Sequence, residues 1–353
     1  MTRLAETLDC DDVKGLESIL PVMDKYGVRC APQEFQRVVN LVFHESESSV
    51  YDSVHRDMWS SLPQQFGLLA SDYIASGEDV GNDLAILDVG CGMGLASELL
   101  LNTKLGERIR QIDLLDTSPE MLEKADQRSR AWKIKTTTKH GAINSIAMQR
   151  GRYDLIITCS VLHHIPDLSE FLQGVRHLQA PGGIFMHFQD PNGDYLHDDL
   201  LQTRIKELKD YERPLIPKRL SRLTPRNVIR RIRRTFSNGR SNDYISHVNQ
   251  QLIQSGLTRQ PMAAPDIWAI TDIHIYDGEG ISVETLSRLL PDYRLISARS
   301  YSFFGKMLSE LPAGFRQREQ QFIEAKAPNG LEIAGLWTLP RVSATNDRTG
   351  LSP

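Results

Sequence analysis

Three groups of residues in this 353-residue chain have the types and spacing for chemistry. The first is Asp88 followed by Gly90, Gly92 and Gly94, in the run AILDVGCGMG. Glycines at such a junction permit a tight turn and let a ligand approach the backbone closely. The second is Asp116, which ends the next apolar run. An acid about 20 residues beyond a glycine-rich turn is placed to accept hydrogen bonds from a ribose diol. The third is the pair His163–His164, directly after GRYDLIITCSVL. Imidazole is the side chain best suited to take a proton near neutral pH.

The glycine spacing is G-x-G-x-G, not the G-x-G-x-x-G of dinucleotide sites. Asp88 narrows the ligand further. A carboxylate beside the turn would repel a pyrophosphate, which normally sits on the positive end of a helix. It suits a ligand with a cationic end and no phosphate, such as the aminoacyl group of S-adenosylmethionine. The plainer alternatives are an ordinary strand-to-helix turn and, at Asp116, a simple helix cap.

The positioning elements follow from hydrophobic periodicity. Residues 1–80 carry helical patterning, with Leu16, Ile19, Leu20 and Met23, then Phe35, Val38, Val39, Val42 and Phe43, at helix spacing. This extension reads as a lid or as the surface of a homodimer. Residues 81–193 alternate apolar runs with helical stretches. Strand one ends at Asp88–Val89 and strand two spans Arg110 to Leu115. Thr117 or Ser118 caps the next helix, ahead of Pro119. Strand three lies within Ala131 to Ile146. Strand four, YDLIITC, is apolar enough to be buried on both faces. The fifth, GIFMHFQDP, follows APGG.

The set AILDVGCGMG, LLDTSPEMLEKA, YDLIITCSVLHHIPD and LQAPGGIFMHFQDPN resembles the motif series of class I S-adenosylmethionine-dependent methyltransferases, over roughly Ala85 to Asn192. The resemblance implies a Rossmann-like α/β fold: seven strands, mostly parallel, with helices on both faces and the last strand antiparallel. It implies S-adenosylmethionine as cofactor and S-adenosylhomocysteine as product. Gly90, Cys91, Gly92 and Gly94 would lie under the methionine part, and Asp116 would hold the ribose. Thr117 or Met121 would flank the adenine. Tyr51, in a Y-D pair upstream of the core, would touch the cofactor. The family often has an acid after strand three that reads the adenine amino group; here Ala142 stands in that place. Backbone groups near Ala142 and Ile143, or the Asn144 side chain, would substitute.

Ligands of open α/β sheets bind outside the carboxyl ends of the strands. That rule collects Cys159, Ser160, His163 and His164 after strand four, and Asp190, Asn192 and Tyr195 after strand five. His274 closes over them from a later alternating segment. His164 is the first candidate for a general base and His163 the second, one of the pair being a core histidine. His163, His164, Asp167 and Asp190 could converge on a metal, but no H-x-x-x-H or carboxylate-triad spacing supports one, and none is expected.

Residues 194–265 read as a basic helical insertion or cap. From Arg213 to Arg240 they hold many arginines, open to three readings: a solvated face, a lid for an anionic acceptor, or a nucleic-acid arm. Residues 266–342 return to the sheet, with DIWAITDIHIYD as an extended segment, YRLISARSYSF as strand six, a long helix from about Lys306 to Ala327, and GLEIAGLWTLP as strand seven. Residues 343–353 form a polar tail.

The net charge of −4 gives no global attraction to nucleic acid or anionic membrane. Nor does an N-P-P-Y or D-P-P-Y element follow strand four. The four cysteines form no C-x-x-C pair, and no apolar run reaches membrane-spanning length. The expectation is a cytoplasmic enzyme methylating a small, specialised and sometimes anionic acceptor, with oxygen favoured over nitrogen. The alternatives are a cyclisation or decarboxylation at the same cofactor site, a non-catalytic binding subunit, and an RNA methyltransferase.

Overall fold

The computed structural model describes residues 15–48, 57–145, 149–213, 244–276 and 279–341. Tyr51, the run from Lys218 to Arg240 and the tail from Ser343 lie outside them. Of the arginines in the run from Arg213 to Arg240, Arg213 is described, and it pairs with Asp210 at 3.1 Å.

Three helices come first: α1 (Leu20–Tyr26), α2 (Pro32–Ser48) and α3 (Met58–Ala75). The chain then alternates through β1 (Leu84–Val89), α4 (Leu95–Leu101), β2 (Ile109–Asp116), α5 (Pro119–Ser129) and β3 (Lys135–His140). β4 (Tyr153–Cys159) runs into a 3-10 turn at Leu162–His164, then α6 (Leu168–Leu178) and β5 (Gln179–Pro191). Next come α7 (Asp199–Glu212), α8 over residues 244–254, α9 (Ala264–Thr271), α10 (Ile273–Tyr276) and α11 (Val283–Leu289). The last elements are β6 (Arg294–Tyr301), α12 (Ala313–Glu324) and β7 (Glu332–Thr338).

All seven strands form one sheet in the order β3-β2-β1-β4-β5-β7-β6. Neighbours from β3 to β5 are parallel, and β7 lies antiparallel between β5 and β6. Every β1 residue is buried, because helices cover both faces of a parallel sheet and its strands read as continuous apolar runs. On one face pack α3, α4, α5 and α12, with Phe66 stacked on Phe188 at 3.7 Å. On the other lie α6 and α11. The strand order reverses between β1 and β4, and the crevice at their carboxyl ends is where an open α/β sheet holds its ligand.

A third apolar cluster stands apart from both faces. Leu16, Ile19, Phe35 and Val39 from the first helices pack with Val248, Leu252, Ile267 and Ile270. The N-terminal helices and residues 244–273 therefore share one small core, a cap over the crevice. Two expectations are corrected here. DIWAITDIHIYD is not extended but forms α9 and α10, started by Pro265 in the first turn and held by Ile267, Ile270 and Ile273 in the cap core. The long helix expected from Lys306 is broken, because Pro312 stands at the N-cap of α12 and a 3-10 turn (Leu308–Glu310) precedes it. No helix of the described residues is long and apolar enough to cross a membrane.

Candidate active site

β1 ends in a turn whose glycines all take left-handed backbone, with φ of +64° at Gly90, +50° at Gly92 and +82° at Gly94. A Cβ on Gly90 would stand 2.6 Å from Val161 Cγ2, whereas one on Gly92 would meet nothing within 4 Å. Gly92 therefore borders open space. Gly94 does not: its missing Cβ makes room for the Trp132 ring, 3.1 Å away, and it opens α4 without lining the cavity. The turn is tied down by Cys91 N donating to Leu115 O (3.0 Å) and Gly92 N donating to Asp116 Oδ2 (2.8 Å).

Asp88 lies beneath this turn, fully buried, and does not line the cavity. Its Oδ2 accepts from Ser97 Oγ (2.6 Å) and Ser97 N (3.2 Å), clamping the first turn of α4. Oδ1 is buried with no hydrogen-bond partner. Burial pushes the Asp88 carboxyl up to about 7, against the hydrogen bonds from Ser97.

Above the turn is a cavity of about 700 Å³. Gly90, Cys91, Gly92, Asp116, Thr117, Met121, Ala142, Ile143, Cys159, Ser160 and His164 all border it, so the ends of β1, β2, β3 and β4 converge there. Asp116 Oδ1 accepts from Ser118 N at 2.8 Å. Burial raises the Asp116 carboxyl, and the N–H groups of Ser118 and Gly92 work against that rise. Burial also pushes the Cys91 and Cys159 thiols far up, so both pack as neutral groups. Ser160 holds a left-handed φ of +59° while its N–H donates to Phe188 O at 2.8 Å. Strained backbone of this kind clusters at functional sites.

At the β3 end, Asn144 is turned out of the cavity's service. Its Nδ2 donates to the Glu170 carbonyl (3.3 Å) and side chain (3.2 Å), and its Oδ1 packs where a Cβ of Gly174 would be. The Asn144 side chain is thus a brace to α6, and Ala142 N is already satisfied by Ser145 Oγ at 3.0 Å.

The two histidines have different surroundings. His164 borders the cavity. Its Nδ1 lies 2.7 Å from Thr271 O and 3.3 Å from Asp272 Oδ1. A carbonyl only accepts, so Nδ1 carries the proton and Nε2 the lone pair. Burial opposes charging of this ring, but the Asp272 carboxylate and the Thr271 carbonyl outweigh it, and the His164 pKa is raised. His163 is buried behind it and does not line the cavity. Its Nδ1 and its backbone N both reach Asp190 Oδ1, at 2.9 and 3.2 Å. Burial, then the neighbouring His164, lower the His163 pKa.

Asp190 is therefore not a substrate contact. A bulge in the β5–β7 pairing, with Gln189 at a φ of +58°, turns its side chain inward. Burial alone would raise its carboxyl, but His163, with His187 Nδ1 at 3.5 Å from Oδ2, holds it down at about 2. Asn192 is likewise structural: it is fully buried and its Nδ2 donates to Pro328 O (2.8 Å) and Gly330 O (3.0 Å). Tyr195 lies in the following turn, away from the cavity. The His274 ring Nε2 sits 2.9 Å from Ile165 O and docks the cap. Asp167, considered as a metal ligand, caps α6 through Glu170 N at 3.0 Å. One ligand atom each from His163, His164 and Asp272 lie within 4.8 Å of one another, but both imidazole Nδ1 atoms are already hydrogen-bonded.

The roof of the cavity escaped the sequence reading. Gln33, Gln36, Arg37, Asn40 and His44 line it from α2. Their i, i+3, i+4, i+7, i+11 spacing is a single polar helix face away from Phe35, Val39 and Phe43, a pattern that a solvated helix shares.

The chain is similar to known methyltransferases over part of its length. The family model described as "Methyltransferase domain" matches residues 87–185. A ubiquinone biosynthesis O-methyltransferase of Xanthomonas oryzae pv. oryzae is 28% identical over 147 residues, 40% of this chain and 59% of that protein. The chain thus spans less than two thirds of the length of that relative. A highly reducing polyketide synthase of Emericella nidulans is 32% identical over 110 residues, 29% of this chain and 4% of the synthase. Among solved structures, the plantazolicin methyltransferase BpumL in complex with SAH aligns over 88% of this chain and 97% of its own, at 14% identity and a TM-score of 0.44. S-adenosylmethionine fits what is built here: an open space over Gly92 and an acid at the end of β2 that borders the cavity. Over residues 87–185 the chain is thus similar to known methyltransferase domains.

Proposed function

We propose that the protein methylates a small-molecule acceptor, at oxygen in preference to nitrogen, with His164 as general base. The observation that carries this reading is His164 itself. It stands on the wall of the cavity that the glycine turn opens, with its Nδ1 occupied by Thr271 and its Nε2 left as a base.

S-adenosylmethionine, when bound, supplies an electrophilic methyl on a sulfonium and leaves as S-adenosylhomocysteine. The backbone around Gly90 to Gly92 would receive its methionine part, and Asp116 its ribose. With the Asn144 side chain turned to α6 and the Ala142 backbone engaged by Ser145, adenine recognition falls to the backbone at Ile143. Leu41, Met58, Leu95 and Phe171 give the cavity apolar walls that exclude water. The acceptor hydroxyl would give its proton to His164 Nε2 as the oxygen–carbon bond forms, and Asp272 would stabilise the resulting imidazolium.

The pair divides the work by environment. Two titratable groups whose surroundings push their pKa values apart can be assigned separate roles. His164, raised, collects the proton. His163, lowered and anchored to Asp190, stays neutral and holds the turn.

The test is turnover with methyl-labelled S-adenosylmethionine against a panel of phenols, alcohols, carboxylates and amines. Label in an ether or ester product, reduced roughly 100- to 1000-fold by His164→Ala, is the expected result. Label recovered solely in an amine, or a His164→Ala enzyme at full rate, would overturn the oxygen reading. No label in any product would overturn methyl transfer.

A further inference from the structure

We infer that Asp272, carried by the cap and outside the matched residues 87–185, is the positioning residue of His164, so that the base is complete only with the cap seated. This rests on the role proposed above for His164. The cap meets the 162–166 turn through a short set of polar contacts. Gln36 Nε2 donates to His164 O at 3.1 Å, His164 Nδ1 donates to Thr271 O at 2.7 Å, and His274 Nε2 lies 2.9 Å from Ile165 O. Asp272 Oδ1 stands 3.3 Å from the same His164 Nδ1. Two of these contacts hold backbone. The pair from Thr271 and Asp272 holds the imidazole, fixing both its tautomer and its tilt.

The groups facing the His164 ring come from four elements. His163 lies on its own turn with ring centroids 4.0 Å apart, and His44 of α2 meets it edge-on at 5.0 Å. Asp190 of β5 acts through His163, to which it is bonded. Asp272 is the carboxylate that touches the His164 ring directly. Burial works against its ionisation, yet its hydrogen bond to His164 and that ring's pull hold its carboxyl below the ordinary value. It is therefore an anion at the pH where the ring must charge. When Nε2 takes the acceptor's proton, the Nδ1 proton stays between Thr271 O and Asp272, and no proton passes to the carboxylate.

The experiment follows the His164 imidazole by NMR through a pH titration of the full chain, in wild type, Asp272→Asn and Asp272→Glu, with S-adenosylhomocysteine affinity measured by calorimetry on each. The expected result is a wild-type midpoint above the ordinary imidazole value, a fall in Asp272→Asn, and recovery in Asp272→Glu, with affinity for the cofactor product within about threefold of wild type throughout. In turnover, the acid limb of the pH–rate profile moves to lower pH in Asp272→Asn while the plateau drops roughly 10- to 100-fold. A midpoint unmoved by Asp272→Asn, or lowered without recovery in Asp272→Glu, overturns the inference. Should Asp272→Asn unseat the cap, the wild-type titration decides alone, and a midpoint at or below the ordinary value overturns it. Failure of the methyl-donor reading shows separately, as wild-type protein that does not bind S-adenosylhomocysteine.

Discussion

The floor and the roof of the cavity are built by opposite means. On the floor, backbone N–H groups of Ser97, Gly92 and Ser118 hold the carboxyl groups of Asp88 and Asp116, and Gly90 and Gly92 take φ values that glycine adopts without strain. The roof is one face of α2, whose helix belongs to a separate apolar cluster and meets the sheet through side chains on the 162–166 turn. A floor fixed by backbone tolerates little change and suits a ligand that never varies. A roof of side chains on a docked unit can change residue by residue and suits recognition of one particular acceptor.

Asp190→Ala should break that contrast most severely, because it leaves His163 buried without its partner beneath the floor. A loss of about 3 kcal/mol is expected from urea denaturation near pH 7. Asp190's folded pKa is depressed, so its contribution is full above the ordinary carboxylate range and fades as pH falls toward 2. The gap between variant and wild type should therefore close on acidification.

Gly90→Val combines a left-handed φ with a contact against Val161. It should weaken S-adenosylhomocysteine binding roughly 100-fold by calorimetry, since strain of this kind costs about 1–3 kcal/mol before any clash is added. An equal loss from a roof substitution would erase the distinction between the two regions.

Asp88→Asn sharpens the comparison through pH. The folded carboxyl titrates near 7, above its unfolded value, so the stability of its protonated form is present at low pH and lost as pH rises through 7. Cofactor-free wild type should lose stability between about pH 4, the ordinary carboxylate value, and pH 7. The variant should escape part of that loss, on the order of 1–3 kcal/mol. A parallel pair of pH curves would contradict the burial described for this carboxyl.

Gln36→Ala should have the smallest effect. It removes one hydrogen bond from cap to turn, worth about 1 kcal/mol, and should leave S-adenosylhomocysteine affinity within about twofold, seen as a modest fall in Tm.

The floor was legible in the sequence because its constraints are local. A turn with three left-handed positions demands glycine, a strand buried on both faces must be apolar without interruption, and an acid must end β2 to meet Gly92 N. Hence strand order, cavity edge and the approach of His164 were all within reach. The roof was not, because Gln33, Gln36, Arg37 and Asn40 on a helix look like any solvated face until a second body covers them. Asp272 lies more than a hundred residues beyond His164, and nothing in the local pattern of either announces the pair. Asp190 was misread for a related reason: the bulge at Gln189 that turns it inward depends on the β7 strand, some 140 residues later. DIWAITDIHIYD alternates well enough to pass for a strand, and only its packing against Phe35 and Val39 makes it helical.

The cap is also discontinuous in the chain: its first piece precedes β1 and its second follows β5. Contacts between them close a loop of about two hundred residues, the kind of pairing that forms late because its entropy cost comes before any reward. During synthesis Phe35 and Val39 must wait, exposed, until Ile267 and Ile270 emerge. The parallel strands β1 to β5 have no such dependence on the far piece. On that count β1 to β5 pair before the cap is seated, and the environment of His164 is complete only once it is.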